Sequence, residues 1–159
     1  MLCVFDLDGV VIDSLELVKT SYRQAGIVPP DNVFEREGVD WAPPEYKMRK
    51  DAFYVRGLRD VPWAPGLLVA QQLRELGYEC VCLTGAPVGT LNRLRTRLGH
   101  EWPFTSSSLD GTRTPVKMKI LAGWPGGVYI DDQTRLVDVP PGWRFIHYTG
   151  QDLLKEILG

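Results

Sequence analysis

Short apolar runs alternate with amphipathic helical stripes along this chain, and that alternation constrains the fold more than any other feature. Leu2 to Phe5, Glu79 to Leu83, Trp102 to Thr105, Val128 to Ile130 and Arg144 to His147 have the length and composition of strands. Between them, Leu15, Val18, Tyr22 and Ala25 recur at helical spacing, as do Val69, Leu73 and Leu76, and Leu91, Leu94 and Leu98. Strands alternating with helices imply an α/β three-layer sandwich, with a mainly parallel five-stranded sheet covered by helices on both faces. At 159 residues the chain is one domain of common size, with room for one small insertion.

Three of these strands end in polar residues that core packing does not require. Asp6 and Asp8 follow the first, Thr84 and Gly85 the second, and Asp131 and Asp132 the fourth. In an open parallel sheet, chemistry collects in the crevice beyond the carboxyl ends of the strands, so these groups are expected to meet. Residues two apart on a strand share a face, which would aim Asp6 and Asp8 at one point. Two carboxylates held close repel and tend to keep a proton unless a divalent cation neutralises them. Ordinary uses compete with this reading. Asp and Gly are common turn residues, and an Asp pair after a strand can cap a helix.

Residues 27–63 break the alternation. They carry Pro29, Pro30, Pro43, Pro44 and Pro62, and one helical segment from Glu45 to Val55 with Pro44 at a first-turn position. The stretch reads as a small helical cap insertion in a core built from residues 1–26 and 64–159. Met48, Ala52 and Val55 are expected to face inward, while Lys47, Arg49, Lys50, Arg56 and Arg59 supply positive charge. A solvated basic helix face is the plainer account of those charges.

Taken together, the residues resemble the haloacid dehalogenase superfamily, specifically its phosphatase branch with a small cap between the first and second motifs. Phe5-Asp6-Leu7-Asp8-Gly9-Val10 matches the first motif, Leu83-Thr84-Gly85 resembles the second, Lys117 the third, and Tyr129-Ile130-Asp131-Asp132 the fourth. The resemblance runs from the first strand through Asp132 and includes Pro65-Gly66, which opens the helix ahead of the second motif. It implies a Rossmann-like core with the first strand between the Thr84 strand and the Asp132 strand. It also implies a short helical turn and hairpin flap running from Asp8 through Val11 and Ile12 to Asp13.

The chemistry that the resemblance implies is Mg²⁺-dependent phosphomonoester hydrolysis through an aspartyl-phosphate. Asp6 would be the nucleophile, splitting one difficult displacement into two easier ones. Asp8 would protonate the leaving group and then take a proton from the attacking water. ATP-driven pumps of this superfamily carry Thr at that place, and an Asp there favours rapid hydrolysis or phosphotransfer. The Thr84 hydroxyl and the Gly85 N–H would hold phosphate oxygens. Lys117 would add a cationic contact and steady Asp6, with Lys119 as its rival two residues later. Asp6, Asp132 and Asp131 would ligate the metal, joined by the backbone carbonyl of Asp8. His100 and His147 have no part in this scheme.

Composition sets outer limits. An apolar content of 44% and a charged content of 24% are ordinary for a soluble globular chain. A net charge of -2 gives no electrostatic reason to expect a duplex nucleic acid partner, whereas a small anion needs only a local positive site. No apolar run approaches the roughly 18 residues of a membrane span, and the start lacks the basic-then-apolar pattern of a secretory signal. A cytoplasmic location is the expectation. Cys3, Cys80 and Cys82 lie in apolar strands, and the C-x-C pair lacks further ligands to complete a metal site. The expected substrate is a small phosphorylated metabolite, a nucleotide ahead of a sugar phosphate. Trp41, Tyr46, Tyr54 and Trp63 could stack on a base, with Arg56 or Lys47 near a second phosphate. The alternatives are a phosphotransferase or mutase, a polynucleotide-end phosphatase, and a non-catalytic phosphate-binding regulatory module.

Overall fold

A computed structural model describes residues 1–33, 41–133 and 138–159. Strands β1 (Leu2–Phe5), β2 (Glu79–Cys82), β3 (Gly127–Asp131) and β4 (Trp143–His147) form one sheet in the order β2-β1-β3-β4, with every pairing parallel. Phe5 lies opposite Cys82 on one side and Ile130 on the other, so the carboxyl ends of β2, β1 and β3 finish level. The helices are α1 (Leu15–Ala25), α2 (Pro44–Gly57), α3 (Pro65–Glu75), α4 (Thr90–Leu98), α5 (Thr114–Ala122) and α6 (Leu153–Leu158). Among the described residues no helix is long and apolar enough to cross a membrane.

Strand alternation builds two cores. Cys3, Phe5, Cys80, Cys82, Val128 and Ile130 pack with Leu73 of α3, Leu94 of α4 and Ile157 of α6. Val4, Val81 and Tyr129 point the other way, against Leu121 of α5. Each aliphatic side chain fully buried in this way contributes on the order of 2 kcal/mol. The thiols are part of these cores, and burial pushes Cys3 up to about 11 and Cys80 up to about 12.

Among the described residues the sheet has four strands, not the five expected. Trp102 to Thr105 is buried in part but does not join the ladder. Pro103 has no N–H to donate, and the Trp102 N–H turns back to the Gly99 carbonyl. The outer edge of β2 is instead covered by a loop. Thr105 donates to Cys80 O, Leu109 donates to Cys82 O, and Ser108 Oγ accepts from Cys82 N.

A tight flap follows β1. The N–H groups of Val10, Val11 and Ile12 all point at the Leu7 carbonyl, and Gly9 adopts φ 82°, a left-handed conformation that suits glycine. The chain then pairs with the segment before α3, Asp13 N donating to Pro62 O at 2.8 Å and Ala64 N to Val11 O at 2.9 Å. Gly66 meets this flap so closely that a Cβ there would overlap the Val10 carbonyl.

Helix α2 packs on α1, and its register differs from expectation. Met48 is 75% exposed and Ala52 is also exposed, whereas Lys50, Tyr54 and Leu58 are buried. Of the expected apolar stripe only Val55 packs against the core; Met48 and Ala52 turn outward because the inner face of α2 looks onto a carboxylate site, where an amine and a phenol are better partners than methyl groups. At its exit the segment is tied to the core by Arg97 of α4. The guanidinium donates to Leu58 O and Val61 O, both at 2.9 Å, and lies 4.3 Å from the Trp63 ring centre.

Candidate active site

Asp6 sits one residue past β1, still held in the sheet by its N–H to Ile130 O. Continuing the alternation of Leu2 and Val4, its side chain is on the α5 face. Lys117, in the first turns of α5, is 4% exposed and reaches back to place Nζ 2.7 Å from Asp6 Oδ1. Its rival Lys119 is exposed. Burial opposes the Lys117 charge, but the Asp6 and Asp131 carboxylates outweigh it and hold the ammonium above its ordinary range. Lys117 Nζ is also 4.0 Å from Asp131 Oδ2 and 3.5 Å from the Tyr129 hydroxyl.

Asp131 and Asp132 close β3. Tyr129 and Asp131 share a face of that strand, and the Tyr129 hydroxyl donates to Asp131 Oδ2 at 2.6 Å. Gln133 N donates to the other oxygen. Asp6, Asp131 and Asp132 each bring a carboxylate oxygen within 4.8 Å of the other two. Asp132 Oδ1 is buried and has no hydrogen-bond partner among the described residues. Burial and the neighbouring Asp6 carboxylate push Asp131 up to about 7; burial, then Asp6 and Asp131, push Asp132 up to about 8. Such a group of hard oxygens, crowded and short of positive charge, suits an oxygen-seeking divalent cation.

Asp8 is separated from this cluster. The sequence pattern put it on a common strand face with Asp6, but the strand has ended and the flap carries it away. It lines the same cavity as Asp6 while its carboxylate belongs to other partners. Oδ1 accepts from Ser14 Oγ at 2.6 Å and from the Tyr54 hydroxyl of α2 at 2.7 Å. Burial pushes the Asp8 carboxyl above its ordinary range, against those two hydrogen bonds, and the Asp6 charge pushes in the same direction as burial. Two carboxylates two residues apart thus occupy different environments, one salt-bridged and one hydrogen-bonded by neutral hydroxyls.

Thr84 and Gly85 form the third side of the cavity. Thr84 is buried, and its Oγ1 accepts from Ala86 N at 3.1 Å, which leaves the hydroxyl proton to be donated. Trp41, Lys47 and Lys50 from the insertion and Arg113 before α5 also line the cavity. Trp41 packs on Tyr22 with ring centres 4.7 Å apart. The other aromatic residues put forward for stacking are used elsewhere. Trp63 lies against Trp102 and Arg97, Tyr46 under Arg49, and Tyr54 on Asp8. Arg56 lies over Phe53 and does not line the cavity. His147 meets the Asp132 carbonyl at 3.1 Å, an interaction of neighbouring strand ends.

Solved structures share this architecture. A hydrolase from Streptococcus pneumoniae TIGR4 aligns over 99% of this chain and 97% of its own, with a TM-score of 0.62 and 13% identity. A haloacid dehalogenase-like family hydrolase from Streptococcus pneumoniae covers 84% of this chain and 76% of its own, with a TM-score of 0.58 and 18% identity. This chain has the haloacid dehalogenase-like fold. A further haloacid dehalogenase family hydrolase, from Deinococcus radiodurans R1 with bound phosphate and sodium, covers 81% of this chain and 71% of its own at a TM-score of 0.52 and 15% identity. No protein-family model and no curated protein matches the sequence.

Within the haloacid dehalogenase-like fold, the structure adds residues that sequence patterns passed over. Tyr129 had a readable signal, being two residues before Asp131 on one strand. Ser14 had none, and Tyr54 stood out only as a ring for stacking, because their link to Asp8 depends on the flap and on the rotation of α2. Arg113 and Lys50 look in the sequence like ordinary surface charges.

Proposed function

We propose that this chain is a Mg²⁺-dependent phosphomonoester hydrolase that works through an aspartyl-phosphate on Asp6. The observation that carries the reading is the division of labour around two carboxylates. Asp6 is fixed by Lys117 at 2.7 Å beside two further acids, while Asp8 is isolated on Ser14 and Tyr54. A carboxylate held by a lysine is oriented to attack phosphorus, whereas one buried against neutral hydroxyls tends to keep its proton and can give it up.

Asp6 attacks the phosphorus atom as the ester P–O bond breaks, and Asp8 delivers its proton to the departing oxygen. Water then attacks the phosphorus of phospho-Asp6, Asp8 recovers the proton, and the Asp6 carboxylate is released with inorganic phosphate. Lys117 keeps Asp6 oriented and offsets charge on the phosphoryl group. The Thr84 hydroxyl and Gly85 N–H supply donors to its oxygens. Asp6, Asp131, Asp132 and the carbonyl of Asp8 would hold Mg²⁺, which when bound supplies charge neutralisation for the phosphoryl oxygens.

Residues 27–63 serve as a small cap on a core of residues 1–26 and 64–159. The substrate is a small phosphorylated metabolite, with a nucleotide favoured over a sugar phosphate. Trp41 and Lys47 on the cavity wall support that choice, since a ring face and a cation suit a base and a second anionic group. A panel of nucleoside monophosphates, sugar phosphates and p-nitrophenyl phosphate, assayed with Mg²⁺ and with chelator, tests the reading. Phosphate release that needs Mg²⁺ and vanishes in Asp6→Asn is expected. Release that persists in Asp6→Asn removes Asp6 as nucleophile. Phosphate passed to an added sugar phosphate in preference to water would favour a phosphotransferase.

A further inference from the structure

We propose that Tyr54 is a positioning residue for the acid–base group Asp8, so that proton transfer depends on α2 being seated; this rests on the acid–base role given to Asp8 above. Tyr54 lies 46 positions away in sequence and on the inserted segment, yet its hydroxyl is 2.7 Å from Asp8 Oδ1. The ring is 2% exposed, so the contact is built into the packing of α2. A buried phenol needs a hydrogen-bond partner, and here that partner is a carboxylate of the cavity.

The geometry assigns different jobs to the two oxygens of Asp8. Both side-chain donors, Ser14 Oγ and the Tyr54 hydroxyl, converge on Oδ1. With Oδ1 held in this way, Oδ2 is the oxygen assigned to exchange the proton with substrate. Two donors arriving from α2 and from the cap position of α1 fix the plane of the carboxyl group, where one alone would allow it to swing. Holding a reacting group in its productive orientation is worth large factors in rate, and loss of alignment by about 1 Å can cost on the order of 100-fold.

Tyr54→Phe keeps the ring and removes only the hydroxyl. Its effect is read from a series of aryl phosphates whose phenols become progressively poorer leaving groups, ending with phenyl phosphate and starting with p-nitrophenyl phosphate. For each, kcat/KM reports the step in which the P–O bond breaks as the phenol oxygen takes the Asp8 proton. A good leaving group departs without that proton and a poor one does not. Tyr54→Phe is therefore expected to lower kcat/KM for phenyl phosphate by about 10-fold or more while changing p-nitrophenyl phosphate by less than about 3-fold, within the range general acids contribute. The slope of log kcat/KM against phenol acidity becomes steeper. Phospho-Asp6 also accumulates, seen by intact mass, because Asp8 serves the water step as well.

An equal loss for every phenol would overturn the proposal, since a merely structural role has no reason to sense the leaving group. Loss of fold in Tyr54→Phe would overturn it too, by making the hydroxyl a requirement of folding. Asp8→Asn run in parallel separates the two claims. If Asp8→Asn shows no dependence on the leaving group, the acid–base reading falls. If Asp8→Asn shows it and Tyr54→Phe does not, the role of Tyr54 alone falls.

Discussion

Replacing Lys117 by Met tests the electrostatic frame of the site. Met keeps most of the apolar stem and removes the charge that sits 2.7 Å from Asp6 and 4.0 Å from Asp131. Three carboxylates then share a buried space with no cation. Removing one partner of a buried pair costs about 3–5 kcal/mol. At about 2–4 °C per kcal/mol for a chain of this size, the Tm in chelator at pH 8 should fall by about 6–20 °C. The loss should shrink at pH 6, where the acids can take up protons instead of repelling. It should shrink again when saturating Mg²⁺ replaces the missing charge, so that Mg²⁺ stabilises the variant more than the wild type. Thermal melts of both proteins at the two pH values, with chelator and with Mg²⁺, give the comparison. A loss independent of pH and of Mg²⁺ would refute the reasoning, since it would come from packing of the stem and not from charge.

Three further outcomes follow from the same geometry. In chelator the wild-type protein should lose stability as pH rises from about 4 to about 8. Asp131 and Asp132 keep protons in the folded state up to about 7 and about 8 that they give up near 4 when unfolded, so the folded state binds more protons throughout that window; urea melts across pH measure this, and a rise in stability over it would contradict the assignment. Asp8→Asn incubated with p-nitrophenyl phosphate should trap a phospho-enzyme, because the first step tolerates loss of the acid and the second lacks its base; unchanged turnover with no mass increase would remove Asp8 from proton transfer. Gly66→Ala should cost about 1–3 kcal/mol by forcing the flap carbonyl of Val10 away, read in denaturant melts, and a neutral result would show that the flap gives way freely.

Local patterns made the core readable. Alternation identified β1 to β4 within a residue or two at each end, and parallel topology followed from the helices between them. The polar residues after β1 and β2 marked the cavity wall and those at the end of β3 lie beside Asp6, because a parallel sheet brings those ends together whatever the loops do. The fifth strand failed for a stereochemical reason present in the sequence, the missing donor of Pro103. The face of α2 failed for a different reason. Hydrophobic periodicity assumes that the inside of a protein is apolar, and Lys50 and Tyr54 face inward toward carboxylates. Ser14, Tyr54 and Arg113 depend on contacts between segments far apart in sequence, which no local pattern encodes.

Arg97 gives the insertion one anchored edge. One guanidinium of α4 holds both Leu58 O and Val61 O, so the return of the segment is fastened to the helix that follows β2, and Tyr54, one turn before Leu58, is fastened with it. A guanidinium outside the cavity thus helps to set where the phenol meets Asp8.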